Sequence, residues 1–571
     1  MSTTPTLPAI VRGAPLEDEP GLGSLTLPGF LREVTETFSE REVLTMQVDS
    51  EIVRWTYADL WERAIEVAQA LRSTGLGKDG RVGVLMTNRP EWLSAVFGTS
   101  LAGGVAVTLS TFSTPAELDH LLKVSSVSVL LFEGQVLKQN FAEILTDLEP
   151  RIATAAPGAL RSSKYPFLRH LAAVSDTTPA DRSSDGSIES WPTFLARGVN
   201  ESREEVEACA ATTAPSDTAV LFFSSGSTSK PKGILSAHRG VAIQMWRFRR
   251  MYDLSPEDNV RCWSANGFFW SGNFGMALGS TLASGGSLVL QRTFDADEAL
   301  LLMDAEKVNF PVAWPHQWAA LEASPNWGSV DLSSMRFVDF NTPIAKHKTV
   351  STIYFEPGHA YGNTETFTIS TCFPANTPDE EIAGSSGIPL PGNSVKIVDA
   401  LTGATLRIGE RGEICVKGPT LMLGYVGTPL METLDAEGFF HTGDGGYLDD
   451  SGRLFWEGRL TDIIKTGGAN VSPLEVDEVI LGLPGVKVTR TVGVPHETLG
   501  EVVVSCIVPQ DSATLDPEAI RTLIKEKLAS YKVPRHVLFF SDNEISMTGS
   551  AKIKTDELRN LASTRIDTTH W

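Results

Sequence analysis

The sequence predicts an α/β protein: a large, multi-subdomain N-terminal domain of mixed sheets and helices, followed by a small α+β C-terminal domain. Three observations predict it. Short apolar runs that read as buried strands alternate with amphipathic helical stretches, the pattern of largely parallel sheets with covering helices. A chain of 571 residues is too long for one small core, so two or more structural units are expected. Near Gly458 the character changes to a compact tail, which divides the chain into residues 1–458 and 459–571.

The elements follow in order. An amphipathic helix is expected around Tyr57 to Arg72, and Val82-Gly83-Val84-Leu85-Met86 after it reads as a buried strand. Val129-Leu130-Leu131-Phe132 repeats that pattern after another helical stretch. The stretch Thr154 to Ser187, rich in Ala, Ser, Thr, Asp and Gly, reads as long loops, and Ala219 to Phe223 as a further buried strand. In the tail, Val502-Val503-Val504 reads as a strand and Pro517 to about Ser530 as a helix. Asp516 is placed to cap that helix, with Pro517 in its first turn. No internal repeat is present.

Composition excludes several classes of function. A formal charge of −22 argues against nucleic acid or an anionic membrane surface as a partner. No uninterrupted apolar run reaches membrane-spanning length, and Met1 to Gly23 lacks the basic start and apolar stretch of a signal peptide. The five cysteines, Cys209, Cys262, Cys372, Cys415 and Cys506, are scattered and lack metal-ligand spacing. They read as reduced thiols, so a cytoplasmic location is expected.

The chemistry is concentrated in Phe222-Phe223-Ser224-Ser225-Gly226-Ser227-Thr228-Ser229-Lys230-Pro231-Lys232-Gly233, where a buried strand feeds a loop of small hydroxyl residues, glycine and lysine. Backbone N–H groups and hydroxyls can donate to phosphate oxygens, glycine lets the backbone approach, and lysine supplies positive charge. No G-x-x-x-x-G-K-[ST] can be read through it, so it is not a Walker A loop. Taken alone, it is either a polyphosphate cradle or a Ser/Gly-rich surface turn.

Further motifs follow: Tyr361-Gly362-Asn363-Thr364-Glu365, Thr442-Gly443-Asp444, Gly458-Arg459-Leu460-Thr461-Asp462 and Ser550-Ala551-Lys552-Ile553. In this order and spacing the set resembles the adenylate-forming superfamily of acyl-CoA synthetases, peptide-synthetase adenylation domains and luciferases. Thr56 to Leu60, Arg81 to Glu91 and Pro115 to Leu118 resemble its N-terminal region, so the likeness runs from about Leu27 to about Leu561.

The resemblance implies the following roles. Ser225, Ser227, Thr228 and Lys232 hold the β- and γ-phosphates of ATP, Tyr361 and Gly362 lie along the adenine, and Thr364 sits near the α-phosphate. Glu365 helps hold Mg²⁺, an oxygen-ligand role suited to a carboxylate. Asp444 accepts the ribose hydroxyls and Arg459 supports ribose and phosphate. Lys552 neutralises charge developing between carboxylate and α-phosphate. Lys465, Gly467 and Gly468 border a channel for the thiol of CoA, reached when the small domain, which is mobile in this family, turns about a hinge at Thr461. Without the family, Asp444 could equally cap a turn and Lys552 be a solvated lysine.

The resemblance thus implies an acid–thiol ligase that joins a carboxylic acid to CoA through an acyl-AMP intermediate. Asn266 to Gly275 carries no carboxylate to receive an amino acid's ammonium group, which disfavours a peptide-synthetase domain. Phe269 and Trp270 in that segment, with Trp314, His316 and Trp318, suggest a pocket for a bulky apolar acid, the alternative being that these aromatics are core.

Some positions depart from the family pattern. Ser229 and Ala551 stand where glycine is usual, Thr461 where Asp or Lys is common, and Phe340-Asn341-Thr342-Pro343-Ile344 where the adenine-side loop is usually glycine-rich. Replacing a glycine at positive φ costs roughly 1–2 kcal/mol, about tenfold in rate if it falls on the barrier. An alternative therefore stays open: an enzyme that only transfers a preformed acyl adenylate, supplied by a partner adenylating enzyme, to CoA. A homodimer is compatible with the sequence.

Overall fold

The computed structural model describes residues 7–48, 51–175, 186–224, 231–460, 462, 464–466, 469–496, 499–510, 513–528, 532–545 and 553–567. The chain divides into two compact units, one of residues 12–394 with 416–440 and one of residues 1–11, 395–415 and 441–571. These units group strands that share a sheet, whereas the boundary drawn after Gly458 marks an expected hinge.

The larger unit is built on two sheets. In the eight-stranded sheet the order is Ile188–Ser190, His170–Val174, Val129–Glu133, Arg81–Leu85, Val105–Thr108, β1 (Thr218–Ser224), β2 (Lys232–Ala237) and Gly424–Tyr425. The first six strands run parallel, and the last two pairings are antiparallel. Parallel neighbours need crossovers, and helices Pro90–Leu101 and Pro115–Ser125 supply two of them. The helix expected from Tyr57 runs to Ser73, started by a reciprocal Thr56–Asp59 capping box. The Thr154 to Ser187 stretch, read as loops, contributes the strand His170–Val174. A five-stranded sheet, ordered Phe310–Val312, Arg261–Ser264, Ser287–Leu290, Glu42–Val48 and Glu51–Thr56, completes the frame.

Helix α1 (His238–Met251) follows β2 and is almost entirely buried. Its buried Arg247 and His238 are paired. Arg247 and Glu19, both with fully buried side chains, meet at 2.6 Å, and Arg250 joins the same carboxylate at 2.6 Å. His238 at its start accepts a hydrogen bond from Leu27 N at its Nδ1 (3.1 Å).

The smaller unit contains two five-stranded sheets. One carries β3 (Gly412–Lys417), β4 (Phe440–Leu448) and β5 (Leu454–Arg459) side by side in that order. In the other, Gly500–Pro509 is central, and its alternate residues serve two cores. Val502, Val504 and Cys506 pack with Leu558, Ala562 and Ile566, while Val503 and Ile507 pack with Val476, Ile480, Ile520 and Ile524. The expected tail helix spans Pro517–Lys527, with Asp516 capping it by accepting from Glu518 N.

Burial pushes the His238 imidazole down to about 4. The unfolded chain takes up this proton below the ordinary value of 6.5, whereas the fold refuses it until about pH 4. Stability is therefore lost as the pH falls through this window, by about 3 kcal/mol in full. Urea unfolding of the wild type and His238→Asn at pH 7 and 4.5 checks it. The variant is expected to lose less stability on acidification; equal losses contradict the assignment.

Candidate active site

Ser225, Gly226, Ser227, Thr228, Ser229 and Lys230 lie outside the described residues, as do Thr461, Gly467, Gly468, Ser550, Ala551 and Lys552. What flanks the first run is well defined. Strands β1 and β2 are antiparallel neighbours with Ser224 opposite Lys232 and Phe223 opposite Gly233, so the run joins the ends of a hairpin. Lys232, the exposed first residue of β2, places its ammonium 5.0 Å from the centre of the Tyr425 ring. Tyr425 stands on the strand beside β2, and its hydroxyl donates to Glu365 Oε1 at 2.7 Å. The structure thus brings Lys232 and Glu365 together around a tyrosine that the motif reading missed. No local signal marks Tyr425, because its place depends on pairing with a strand nearly two hundred residues earlier.

The segment bearing Tyr361, Gly362, Thr364 and Glu365 is folded back on itself. Tyr361 and Thr371 exchange two backbone hydrogen bonds of 3.1 Å, and the Ser370 N–H donates to the Tyr361 carbonyl at 2.7 Å. Gly362 is required by space, since a Cβ there collides with the Thr368 carbonyl. Asn363 caps the Thr364–Thr366 turn by accepting from Thr366 N at 3.0 Å. The chain then passes through Phe367 (φ 47°) and Thr368 (φ 81°), two successive left-handed residues that are not glycine. Each costs about 1–2 kcal/mol, so surrounding structure must impose this conformation.

The Phe340 to Ile344 loop resolves one expectation differently. None of Phe340, Asn341, Thr342 and Ile344 has positive φ. Asp339 organises the loop, its carboxylate accepting from Asn341 N (2.8 Å) and Glu356 N (3.2 Å) and its carbonyl from Thr342 N (3.0 Å). The cost expected from lost glycines is absent here because the loop follows a turn that L-residues adopt freely.

Asn266 to Gly275 is pinned by buried amides. Asn88 Nδ2 donates to the Asn266 carbonyl (2.8 Å), Phe268 N donates to Asn88 Oδ1 (2.9 Å), and Thr108 Oγ1 donates to the Phe269 carbonyl (3.2 Å). Phe268 turns inward onto Trp92, whereas Phe269 meets Trp270 and the exposed Phe112 at ring separations of 5.3 and 5.9 Å. Trp314 and His316 are exposed at the start of the helix Pro315–Glu322, which Gln317 ties to Asn266 at 3.1 Å. Trp318, grouped with them by sequence, is buried in a core cluster with Trp263 and Leu321; its helix position points it inward. That is the core alternative, realised for Trp318, and Phe269 is buried as well.

In the smaller unit Asp444 lies within β4, not in a turn, and pairs with Arg459 of β5 (Nε to Oδ1, 3.0 Å). Arg459 also donates to the Thr442 carbonyl (2.7 Å), and Asp444 N donates to Thr442 Oγ1 (3.1 Å). From β3, Glu413 braces the same segment, accepting from Gly443 N at Oε1 (3.0 Å) and meeting His441 Nδ1 at Oε2 (2.8 Å). Cys415 lies beside them, the three donor atoms being within 4.8 Å of one another, a grouping that spacing in the sequence does not reveal. Lys465 is exposed, its backbone N–H bound to Glu501 at 2.8 Å. No disulfide joins any of the five cysteines, and burial pushes the thiols of Cys262, Cys372 and Cys506 up to about 12, which disfavours their reactive thiolate form.

Comparison with known proteins places this geometry. Residues 31–426 match the family model of the AMP-binding enzymes, and residues 475–552 that of the AMP-binding enzyme C-terminal domain. The chain belongs to the AMP-binding enzyme family. A 3-[(3aS,4S,7aS)-7a-methyl-1,5-dioxo-octahydro-1H-inden-4-yl]propanoyl:CoA ligase from Rhodococcus jostii is 30% identical over 546 residues, covering 94% of this chain and 98% of the relative. A feruloyl-CoA synthase from an Amycolatopsis species is 31% identical over 511 residues, covering 88% and 93%. The fold matches the crystal structure of the anthranilate CoA ligase AuaEII in complex with anthranoyl-AMP, with a TM-score of 0.77, 22% identity and coverage of 96% and 99%. This AMP-binding enzyme is of the acyl-CoA synthetase type within the adenylate-forming superfamily, an AMP-forming carboxylate–CoA ligase that uses ATP and CoA. Among the described residues no helix is long and apolar enough to cross a membrane.

Glu413 is mostly buried, so Glu413→Ala leaves the Gly443 N–H without its acceptor. The variant is expected to lose about 1–3 kcal/mol of unfolding stability. Urea unfolding checks this; unchanged stability would show that the Gly443 N–H finds another acceptor.

Proposed function

We propose that this ligase activates a bulky apolar acid, aryl, alicyclic, terpenoid or fatty, and passes it to CoA by two half-reactions. The carboxylate attacks the α-phosphorus of ATP and pyrophosphate leaves, giving an acyl adenylate. The CoA thiol then attacks the acyl carbon, forming the thioester and releasing AMP. Activation is needed because a carboxylate oxygen is a poor leaving group and AMP a good one. Phosphoryl chemistry of this kind asks the protein mainly for positioning and charge stabilisation.

The observation that carries the reading is the meeting of Lys232, Tyr425 and Glu365 at the mouth of the Ser224/Lys232 hairpin. In this proposal Ser225, Ser227, Thr228 and Lys232 hold the β- and γ-phosphates, Tyr361 and Gly362 the adenine, and Thr364 the α-phosphate. Glu365 fits a Mg²⁺ ligand: Tyr425 fixes one carboxylate oxygen and leaves the other as a hard donor. Bound there, the cation would neutralise phosphate charge. Asp444 accepts the ribose hydroxyls while Arg459 holds the carboxylate and supports the phosphate side. Lys552 stabilises the charge that develops as the adenylate forms, and Lys465, Gly467 and Gly468 serve the thiol half-reaction after a turn about Thr461. Division into domains of residues 1–458 and 459–571, a cytoplasmic location and a homodimer belong to the same reading.

The apolar acid is supported by Phe112, Phe269 and Trp270, which gather on one side of a pinned segment with no carboxylate. The ring systems named for the relatives agree with it.

Mass spectrometry of two feeds tests the proposal: apolar acids with ATP, Mg²⁺ and CoA, and matching synthetic acyl adenylates with CoA alone. The wild type is expected to form thioester from both. Lys552→Ala should abolish product from the free acid and largely spare product from the adenylate. Equal loss from both feeds overturns the role of Lys552, and wild-type product from adenylates alone establishes the transfer-only enzyme.

A further inference from the structure

Helix α1 carries one amide in the apolar stretch Val241-Ala242-Ile243-Gln244-Met245-Trp246, and that amide is fully buried. Gln244 Nε2 donates to the carbonyls of Phe367 and Ile369, each at 2.7 Å. Its Oε1 accepts from Arg247 at 3.4 Å, and Arg247 is fixed by Glu19 at 2.9 and 2.6 Å and by the Pro391 carbonyl at 2.9 Å. The two carbonyls held by Gln244 flank Thr368, the second of the left-handed residues. Phe367 and Thr368 have no intrinsic preference for that conformation, and a β-branched residue resists it, so the turn is held from outside.

We propose that Gln244 is a positioning residue for acyl-adenylate formation: its amide holds the Phe367–Thr368 turn and thereby fixes the segment from Tyr361 to Glu365. The inference rests on the assignment of that segment to ATP and Mg²⁺. Three contacts transmit the position. Thr368 N donates to the Asn363 carbonyl at 2.9 Å, Tyr361 and Thr371 are paired through their backbones, and Gly362 lies against the Thr368 carbonyl with no room for a Cβ. A turn that relaxes at Thr368 therefore moves Gly362 and Asn363, and with them the residues on either side. The chemistry selects an amide. Two carbonyls need donors, which a glutamate lacks, and the guanidinium of Arg247 needs an acceptor, which a methionine supplies poorly. Gln244 reaches the reacting groups only through this turn.

The test uses Gln244→Met, Thr368→Gly, the double variant, and Glu365→Gln as a reference. Each is assayed for acid-dependent ATP–pyrophosphate exchange, for thioester formation from a synthetic acyl adenylate, and for thermal unfolding. Gln244→Met is expected to lower kcat/KM for ATP in the exchange by about tenfold, with a smaller change in thioester formation. Adding Thr368→Gly is expected to restore most of the exchange, because glycine adopts the left-handed turn without support. Equal loss in both half-reactions without restoration makes Gln244 a stabiliser of the fold only and overturns the proposal. Unchanged exchange in Gln244→Met overturns it as well. Should Gln244→Met not fold, Gln244→Asn, an amide one methylene short, is expected to show the same defect and the same restoration. Glu365→Gln separates the two levels. Normal exchange there overturns the role of the whole segment, whereas impaired exchange beside a normal Gln244→Met confines the failure to Gln244.

Discussion

A buried charge pair between helix α1 and the N-terminal segment sets much of the larger unit. Arg247 and Glu19 are wholly out of water. Desolvating two charges is costly, and the pair is tolerable because its hydrogen bonds are spread over several acceptors. Glu19 takes Arg247 and Arg250, and Arg247 in turn meets the Pro391 carbonyl and Gln244. The pair thus ties the N-terminal segment to α1 and orients the one buried amide that reaches the turn at Phe367 and Thr368.

The smaller unit solves a similar problem with other groups. Asp444 is a buried carboxylate on a strand and needs partners there. Arg459 holds it from β5, and Glu413 braces Gly443 and His441 from β3. Gly443, at a φ of 72°, supplies a local kink within β4 that a side chain would strain. In both units a short chemical motif is shaped by buried polar groups from neighbouring elements, as electrostatic pre-organisation requires.

What the sequence revealed and what it concealed follow from the range of the interactions. The helix start at Asp516 was legible because caps act over three or four residues. The family was legible because its motifs stand in its order and spacing, and the family models match residues 31–426 and 475–552. Tyr425 and Glu413 escaped because only pairing between strands distant in sequence brings Tyr425 to Lys232 and Glu365, and Glu413 to Gly443. Gln244 left a signal, a lone amide inside an apolar helical run, but its partners could not be read from that run. The cost expected in the Phe340 to Ile344 loop did not materialise, since a missing glycine does not reveal whether the backbone needs positive φ. Trp318 shows that an aromatic beside pocket candidates is still placed by its helix face.

The central claim is that the segment from Tyr361 to Thr371 is shaped before any nucleotide arrives. Hydrogen exchange read by mass spectrometry on the free enzyme tests it most directly. The amides of Tyr361, Ser370 and Thr371 all donate to backbone carbonyls. The account predicts that peptides spanning these residues exchange nearly as slowly as those of α1 without ligand, and markedly faster in Gln244→Met. Rapid exchange in the free wild type, suppressed only when an acyl-adenylate analogue binds, would contradict it and show that the ligand, not the buried frame, builds the site.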